Sequence, residues 1–193
     1  MKREKPKYMQ IIDAAVIVIA ENGYHGSQVA KIAKQAGVAD GTIYLYFKNK
    51  DDILISVFKE KMGVFIERLR EIAHRPISTE EKLYELVKNH YTILQNDHHL
   101  AIVTQLELRQ TRKPLRTKIS DILREYLSLY DYILKEGIEN GVLKDSIDIR
   151  LLRQAIFGMI DETSTSWVMT GQKHDLVSLT DEVHQLILHG LKK

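Results

Sequence analysis

The 193-residue sequence has no cysteine, only three prolines and ten glycines, and no apolar run longer than Ala14–Ala20. Without cysteine there can be no disulfide, iron–sulfur cluster, thiolate zinc site or thiol nucleophile, a composition that fits a reducing compartment. So few glycines and prolines supply too little turn chemistry for the many short connections of a β-sandwich or barrel. The longest apolar run falls far short of the roughly 18 residues that a membrane span requires. Net charge is nearly absent too, 28 Lys and Arg against 26 Asp and Glu.

What is present is 44% apolar and 28% charged residues, enough for one medium core and a small satellite domain. The balanced charge hides an asymmetry. Residues 1–50 carry eight basic and four acidic side chains, whereas the remainder carries 20 basic and 22 acidic. A basic N-terminal segment on a mildly acidic body points to an anionic partner at one end, nucleic acid first. Lys2, Arg3, Lys5 and Lys7 before Ile11–Ala20 imitate a signal peptide. Asp13 and the helical spacing of Ile12, Ala15, Val16 and Ile19 argue against that, so a cytoplasmic protein with no membrane association is expected.

All three prolines fall where helical patterns break: Pro6 before the first, Pro76 between two long ones, Pro114 at the opening of another. The spacing predicts an all-α chain of about nine helices, near 7–22, 28–35, 39–46, 50–73, 79–95, 98–110, 114–140, 149–170 and 176–191. Ser27, Asn49, Ser78 with Glu81, Asp148 and Asp175 are suited to cap helix starts, and Gly23, Gly37 and Gly141 to end helices. Two domains are expected: a helix-turn-helix unit over 1–50, and a helical ligand-binding and dimerisation unit over 51–193. One helix from Lys50 would run between them in place of a linker.

Val29 to Tyr46 reads as two short helices joined at Gly37, with Ala33 small where the second helix must cross closely and Ile32, Ala36, Val38 and Ile43 as the small core between them. The second helix offers Asp40, Gly41, Thr42, Tyr44 and Tyr46 toward base edges and phosphates, with Lys31, Lys34, Lys48 and Lys50 around it. The string Gly41-Thr-Ile-Tyr-Leu-Tyr-Phe-Lys-Asn-Lys50-Asp-Asp-Ile-Leu54 and the preceding Ile11–Tyr24 run resemble TetR-family transcriptional regulators. That resemblance, over about residues 5–55, implies that Ser27, Gln28, Thr42, Tyr44, Tyr46 and Lys50 face double-stranded operator DNA. An ammonium at a helix N-terminus gives Lys50 a second warrant as a phosphate contact. Ile43 and Phe47 belong to the core instead. The Met1–Lys7 arm is read either as following the DNA or as a solvated charged terminus.

In the body, Leu152, Ala155, Ile156, Phe157, Met159, Ile160, Trp167 and Val168 cover more than one helix face. Leu176, Leu179, Val183, Leu186 and Gly190 then form a seam. Together they predict a homodimer through the helices near 149–170 and 176–191, the competing reading being intrachain core. Arg109, Arg112, Lys113, Arg116 and Lys118 make a basic island after the apolar stretch Ala101–Leu108. It reads either as a solvated loop or as a clamp for a ligand with phosphates and a hydrocarbon tail, such as a fatty acyl-CoA.

The strings Lys7–Ala15, Val38–Lys50, Ala101–Gln110 and Phe157–Thr163 look like those of TetR-family repressors of fatty-acid degradation. This wider resemblance implies a homodimer released from its operator by a long-chain fatty acyl-CoA effector, with no cofactor, metal or catalytic residue. Arg109, Arg112 and Arg153 are then expected at the CoA phosphates, and Tyr91, Leu94, Leu108, Phe157 and Trp167 along the acyl path.

Two rivals stand beside this reading. Glu71-Ile-Ala-His74 matches half of a di-iron helical-bundle site, but no second Glu-x-x-His exists, and adjacent His98 and His99 point apart on a helix. The other rival is a TetR-like multidrug-efflux repressor, whose cavity would bind cationic hydrophobic compounds.

Overall fold

The computed structural model describes residues 6–192; residues 1–5 of the basic arm and Lys193 lie outside the described residues. Among the described residues the chain forms nine α-helices: α1 (Lys7–Gly26), α2 (Val29–Ala36), α3 (Asp40–Ile43), α4 (Lys50–Ala73), α5 (Thr79–Asn96), α6 (His98–Glu107), α7 (Lys113–Glu139), α8 (Ile149–Met169) and α9 (Thr180–Leu191). A 3-10 turn, Val177–Leu179, leads into α9.

Side-chain caps set the starts of α4, α5, α6 and α8. Asn49 accepts from Asp52 N at 2.9 Å, Ser78 and Glu81 form a reciprocal capping box, and Asp97 accepts from Leu100 N at 2.9 Å. Asp148 accepts from the backbone N–H of Arg150 and Leu151, whereas Asp175 caps the 3-10 turn at Ser178 N. Four predicted boundaries shift by three or four residues, one of them the start of α9, at Thr180 and not 176. α3 is regular only to Ile43, after which turn bonds from Leu45, Tyr46 and Phe47 to Thr42 and Ile43 carry the chain on. α6 stops at Glu107, short of the basic residues. α1 continues to Gly26 past a kink at Gly23, whose φ of 67° favours glycine.

The small N-terminal head packs α2 on α1 and α3 on α2, closing over Ile32, Ala33, Ile43 and Phe47. Gly37, at φ 66°, turns the chain between α2 and α3, and Val38 N closes on Ala33 O at 3.0 Å. In the body α5 is the central helix, touching α4, α6, α7, α8 and α9. Two contacts tie head to body: α4, which runs through both, and α6, which lies against α1.

The predicted seam divides once the helices pack. Leu152, Ile156, Ile160, Val168, Leu176 and Val183 turn into this chain's own core, while Ala155, Leu186 and Gly190 stay exposed, joined by Leu151 and Met169 from outside the predicted set. The same heptad-like spacing serves two surfaces, because α8 and α9 each present one face to α5 and the opposite face to solvent.

Candidate functional site

The outer face of the head presents Gln28, Gly41, Tyr44 and Tyr46 to solvent, and Thr42 half-buried between them. Tyr44 is 60% and Tyr46 43% exposed, high values for aromatic rings in a small domain. Tyr46 is positioned from behind by Tyr8 and Phe47, which stack on each other with centroids 5.3 Å apart.

Ser27 and Lys50 depart from the sequence expectation. Ser27 is buried, and its Oγ donates to Gly23 O at 2.7 Å and Val18 O at 3.2 Å, fastening the end of α1. The Lys50 ammonium donates to the carbonyls of Tyr24, His25 and Ser27 at 2.9, 3.1 and 3.2 Å, and lies 4.7 Å from the centre of the Tyr24 ring. Its three protons have three acceptors, so in this conformation it joins α4 to the end of α1 rather than offering a free cation.

That joint extends into the body. Tyr24 OH donates to Asp51 Oδ1, and burial together with this carboxylate pushes its pKa well up. Arg112 pairs with the same carboxylate at 2.9 Å, and Glu107 Oε1 accepts the Tyr24 backbone N–H at 2.8 Å. Gln110 Nε2 donates to the other Glu107 oxygen at 2.7 Å. The short segment 107–112 thus grips the end of α1 and the start of α4 at once.

The same segment borders two cavities. An open outer cavity of about 380 Å³ is lined by Leu108, Arg109, Gln110, Thr111, Arg116, Ser120, Leu123 and Phe157. Behind Leu108, Leu123 and Phe157, which line both, lies a narrow inner cavity of about 20 Å³. Its walls are Phe58, Met62 and Phe65 of α4, His90 of α5, Thr104 and Gln105 of α6, and Asp161 of α8. Arg109 forms an ion pair with Asp161 across the boundary: the guanidinium is 61% exposed and the carboxylate side chain only 3%. Gln105, oriented with its amide nitrogen toward Asp161, lies 3.1 Å from Oδ1.

Of the eight residues expected around a ligand, Arg109, Leu108 and Phe157 converge here. Arg112 stands one step away at Asp51. Arg153 is held apart by a 2.6 Å ion pair with Asp131 on α7. Tyr91, Leu94 and Trp167 are core: all three are buried, line neither cavity, and the Trp167 indole donates to His174 O at 2.8 Å. Sequence reasoning missed Ser120, Leu123, Phe58, Met62, Phe65, His90 and Asp161, and left Arg116 unassigned. The spacing of Arg116, Ser120 and Leu123 puts them on one helix face and was a usable signal; the α4 and α8 contributors carry no local one.

Among the described residues no group of three His, Asp or Glu could hold a metal. His74, of the Glu71–His74 unit, stacks on Tyr132 and places Nδ1 2.8 Å from Arg70 O. Among the described residues no helix is long and apolar enough to cross a membrane.

Two family models match successive stretches of the chain. Residues 11–57 match the family described as bacterial regulatory proteins, tetR family, and residues 58–190 match the YsiA-like protein, C-terminal region. The sequence is 62% identical to the fatty acid metabolism regulator protein of Bacillus subtilis over 191 residues, covering 99% of this chain and 98% of the relative. The crystal structure of a transcriptional regulator FadR from Bacillus subtilis in complex with stearoyl-CoA superposes with a TM-score of 0.92, at 63% identity, over 95% of this chain and 98% of that one. The fatty acid degradation regulator FadR from Bacillus halodurans gives 0.93 at 57% identity over 98% of each chain.

Proposed function

The chain belongs to the TetR family of bacterial regulatory proteins, and from that premise we propose that it represses fatty-acid degradation genes and leaves its operator when a long-chain acyl-CoA binds. Its relatives are transcriptional regulators, not enzymes. The observation that carries the reading is a shared segment: residues 107–112 border the basic mouth through Arg109 and hold the head through Glu107 and Arg112.

Residues 1–50 supply the reader, with Gln28, Thr42, Tyr44 and Tyr46 at base edges and phosphates in a major groove. Lys50 joins them only if a phosphate oxygen replaces one of its carbonyl acceptors, and Ser27 acts by shaping the turn. Residues 51–193 supply ligand binding and dimerisation. The outer cavity suits CoA phosphates at Arg109 and Arg116, because guanidinium forks bind phosphate bidentately. The inner cavity suits the acyl chain, at about 0.8 kcal/mol per buried methylene. The one acid among the residues lining the two cavities, Asp161, is already neutralised by Arg109, so neither offers a bare carboxylate to a cationic drug.

An inner cavity of about 20 Å³ holds no more than about one water, whereas ligand pockets run to several hundred Å³. Acyl entry therefore displaces Leu108, Leu123 and Phe157 and spreads α4, α6, α7 and α8. The end of α6 moves with them, carrying Glu107 and Arg112 away from Tyr24 and Asp51. In a cytoplasmic homodimer whose two heads read half-sites about 34 Å apart or a multiple, a small rotation of one head breaks the register.

The outward face of α8 supports that dimer. Leu151 and Met169 are 58% and 67% exposed, Leu186 of α9 is 63% exposed, and Gly158 lies among them. A Cβ on Gly158 would touch nothing within 4 Å in this chain. Glycine in a helix interior costs about 1 kcal/mol, and a partner helix approaching closely is a reason to keep it.

An operator mobility shift with stearoyl-CoA, free stearate and a cationic dye tests the proposal. Release by stearoyl-CoA alone is expected; release by the dye with no effect of stearoyl-CoA would overturn it.

A further inference from the structure

The inner cavity is apolar except along one side, and there its polar groups differ in how they are satisfied. Thr104 Oγ1 donates back into its own helix, to Leu100 O at 2.9 Å and Ala101 O at 3.2 Å. Asp161 accepts from Arg109 and, in the orientation above, from the Gln105 amide nitrogen, which also lies 3.0 Å from Thr165 Oγ1. His90 is different. It is buried, and its Nε2 is, among the described residues, the cavity-lining side-chain atom with no hydrogen-bond partner.

The other ring nitrogen fixes what Nε2 can do. Tyr130 OH donates to Tyr126 OH at 3.3 Å, which leaves the Tyr126 proton for His90 Nδ1 at 3.0 Å. An imidazole that accepts at Nδ1 carries its proton at Nε2. Burial lowers the His90 pKa to about 4, so the ring is neutral and offers one N–H donor without a charge.

We propose that His90 donates Nε2–H to a carbonyl oxygen of the bound effector, the thioester carbonyl being the one that every acyl-CoA carries. This rests on the acyl-CoA reading above. A bare alkyl chain lying across the cavity would leave the donor buried and unsatisfied, whereas a carbonyl oxygen satisfies it. His90 thus distinguishes a carbonyl-bearing ligand from a bare alkyl chain at this position, a selectivity that phosphate contacts at the mouth cannot provide.

The test is a ligand series on the full-length protein with operator DNA. Stearoyl-CoA is compared with its thioether, which lacks the carbonyl, and with the ketone analogue in which methylene replaces sulfur. On the wild type, ketone and thioester should release DNA at similar concentrations and the thioether should need about tenfold more. In His90→Phe the thioester should fall to the level of the thioether; His90→Gln, which keeps a donor, should restore the preference. Equal potency of thioester and thioether on the wild type would overturn this inference alone, as would a preference that survives in His90→Phe. Failure of all three ligands to release DNA would overturn the proposed function as well.

Discussion

Tyr24 of the N-terminal head donates its backbone N–H to the Glu107 carboxylate of α6 at 2.8 Å, across 83 positions of sequence. Residue 108 is already in the cavity wall. A single peptide bond therefore separates a group that would sense ligand from a group that holds the head, and no long pathway through the core is needed.

Glu107→Ala should uncouple the two. Loss of a hydrogen bond to a charged group lowers stability by about 1–2 kcal/mol. More specifically, the ratio of effector affinities without and with operator should fall toward one, while Glu107→Gln, which keeps an acceptor, retains most of it. Titrations of labelled effector with and without operator fragment measure this.

Tyr46→Ala and Tyr44→Ala should each weaken operator binding about tenfold or more and leave effector affinity unchanged, because both rings face solvent on the head. Lys48→Ala should instead reduce the salt dependence of binding by about one ion, as expected for a phosphate contact. Fluorescence anisotropy at several salt concentrations separates the two effects.

Arg109→Ala should raise the effector concentration needed for release and also destabilise the fold, since Asp161 would be left with no cation while buried. The cost should be about 1–3 kcal/mol, below that of a fully buried pair because Arg109 is largely exposed. Adding Asp161→Asn should recover the stability but not the effector response, a split readable by urea denaturation beside DNA release.

Gly158→Leu should leave the monomer folded, because space for the side chain is open within this chain, but should block a close helix contact. Sedimentation should then show monomer, with operator affinity lost. A dimer of wild-type affinity in this variant would place the interface elsewhere.

The His90 titration gives a pH test. Its folded pKa of about 4 lies below the ordinary imidazole value of 6.5, so between those values the unfolded chain binds more protons than the native one. Stability from this residue is complete above pH 6.5, falls as pH drops toward 4, and loses about 2 kcal/mol between pH 7 and 5. His90→Phe should flatten that slope in denaturation curves taken at both pH values.

Much of this was legible in the sequence. Helices capped locally, such as α4 at Asn49 and α5 at Ser78–Glu81, start where their caps predict, because the signal lies within four residues. The head was legible as a motif for the same reason. The cavity was not, since Phe58, His90 and Asp161 meet only through the packing of α4, α5 and α8, and buried polar residues look like surface ones in a string. Lys50 differs: a cation at a helix start suggests phosphate, and here carbonyls at the end of α1 take all three of its protons, a partnership the string does not display. Arg153 and Trp167 were expected from the wider resemblance; in the structure Arg153 pairs with Asp131 and the Trp167 indole with the His174 carbonyl, partners no local pattern announces.

The decisive measurement is reciprocal binding. Stearoyl-CoA affinity is measured for the free protein and for the protein saturated with operator, and operator affinity with and without stearoyl-CoA. Linkage requires equal ratios. If residues 107–112 couple cavity to head, both ratios should be well above one, agree, and collapse together in Glu107→Ala. Tight stearoyl-CoA binding with both ratios at one would contradict the mechanism.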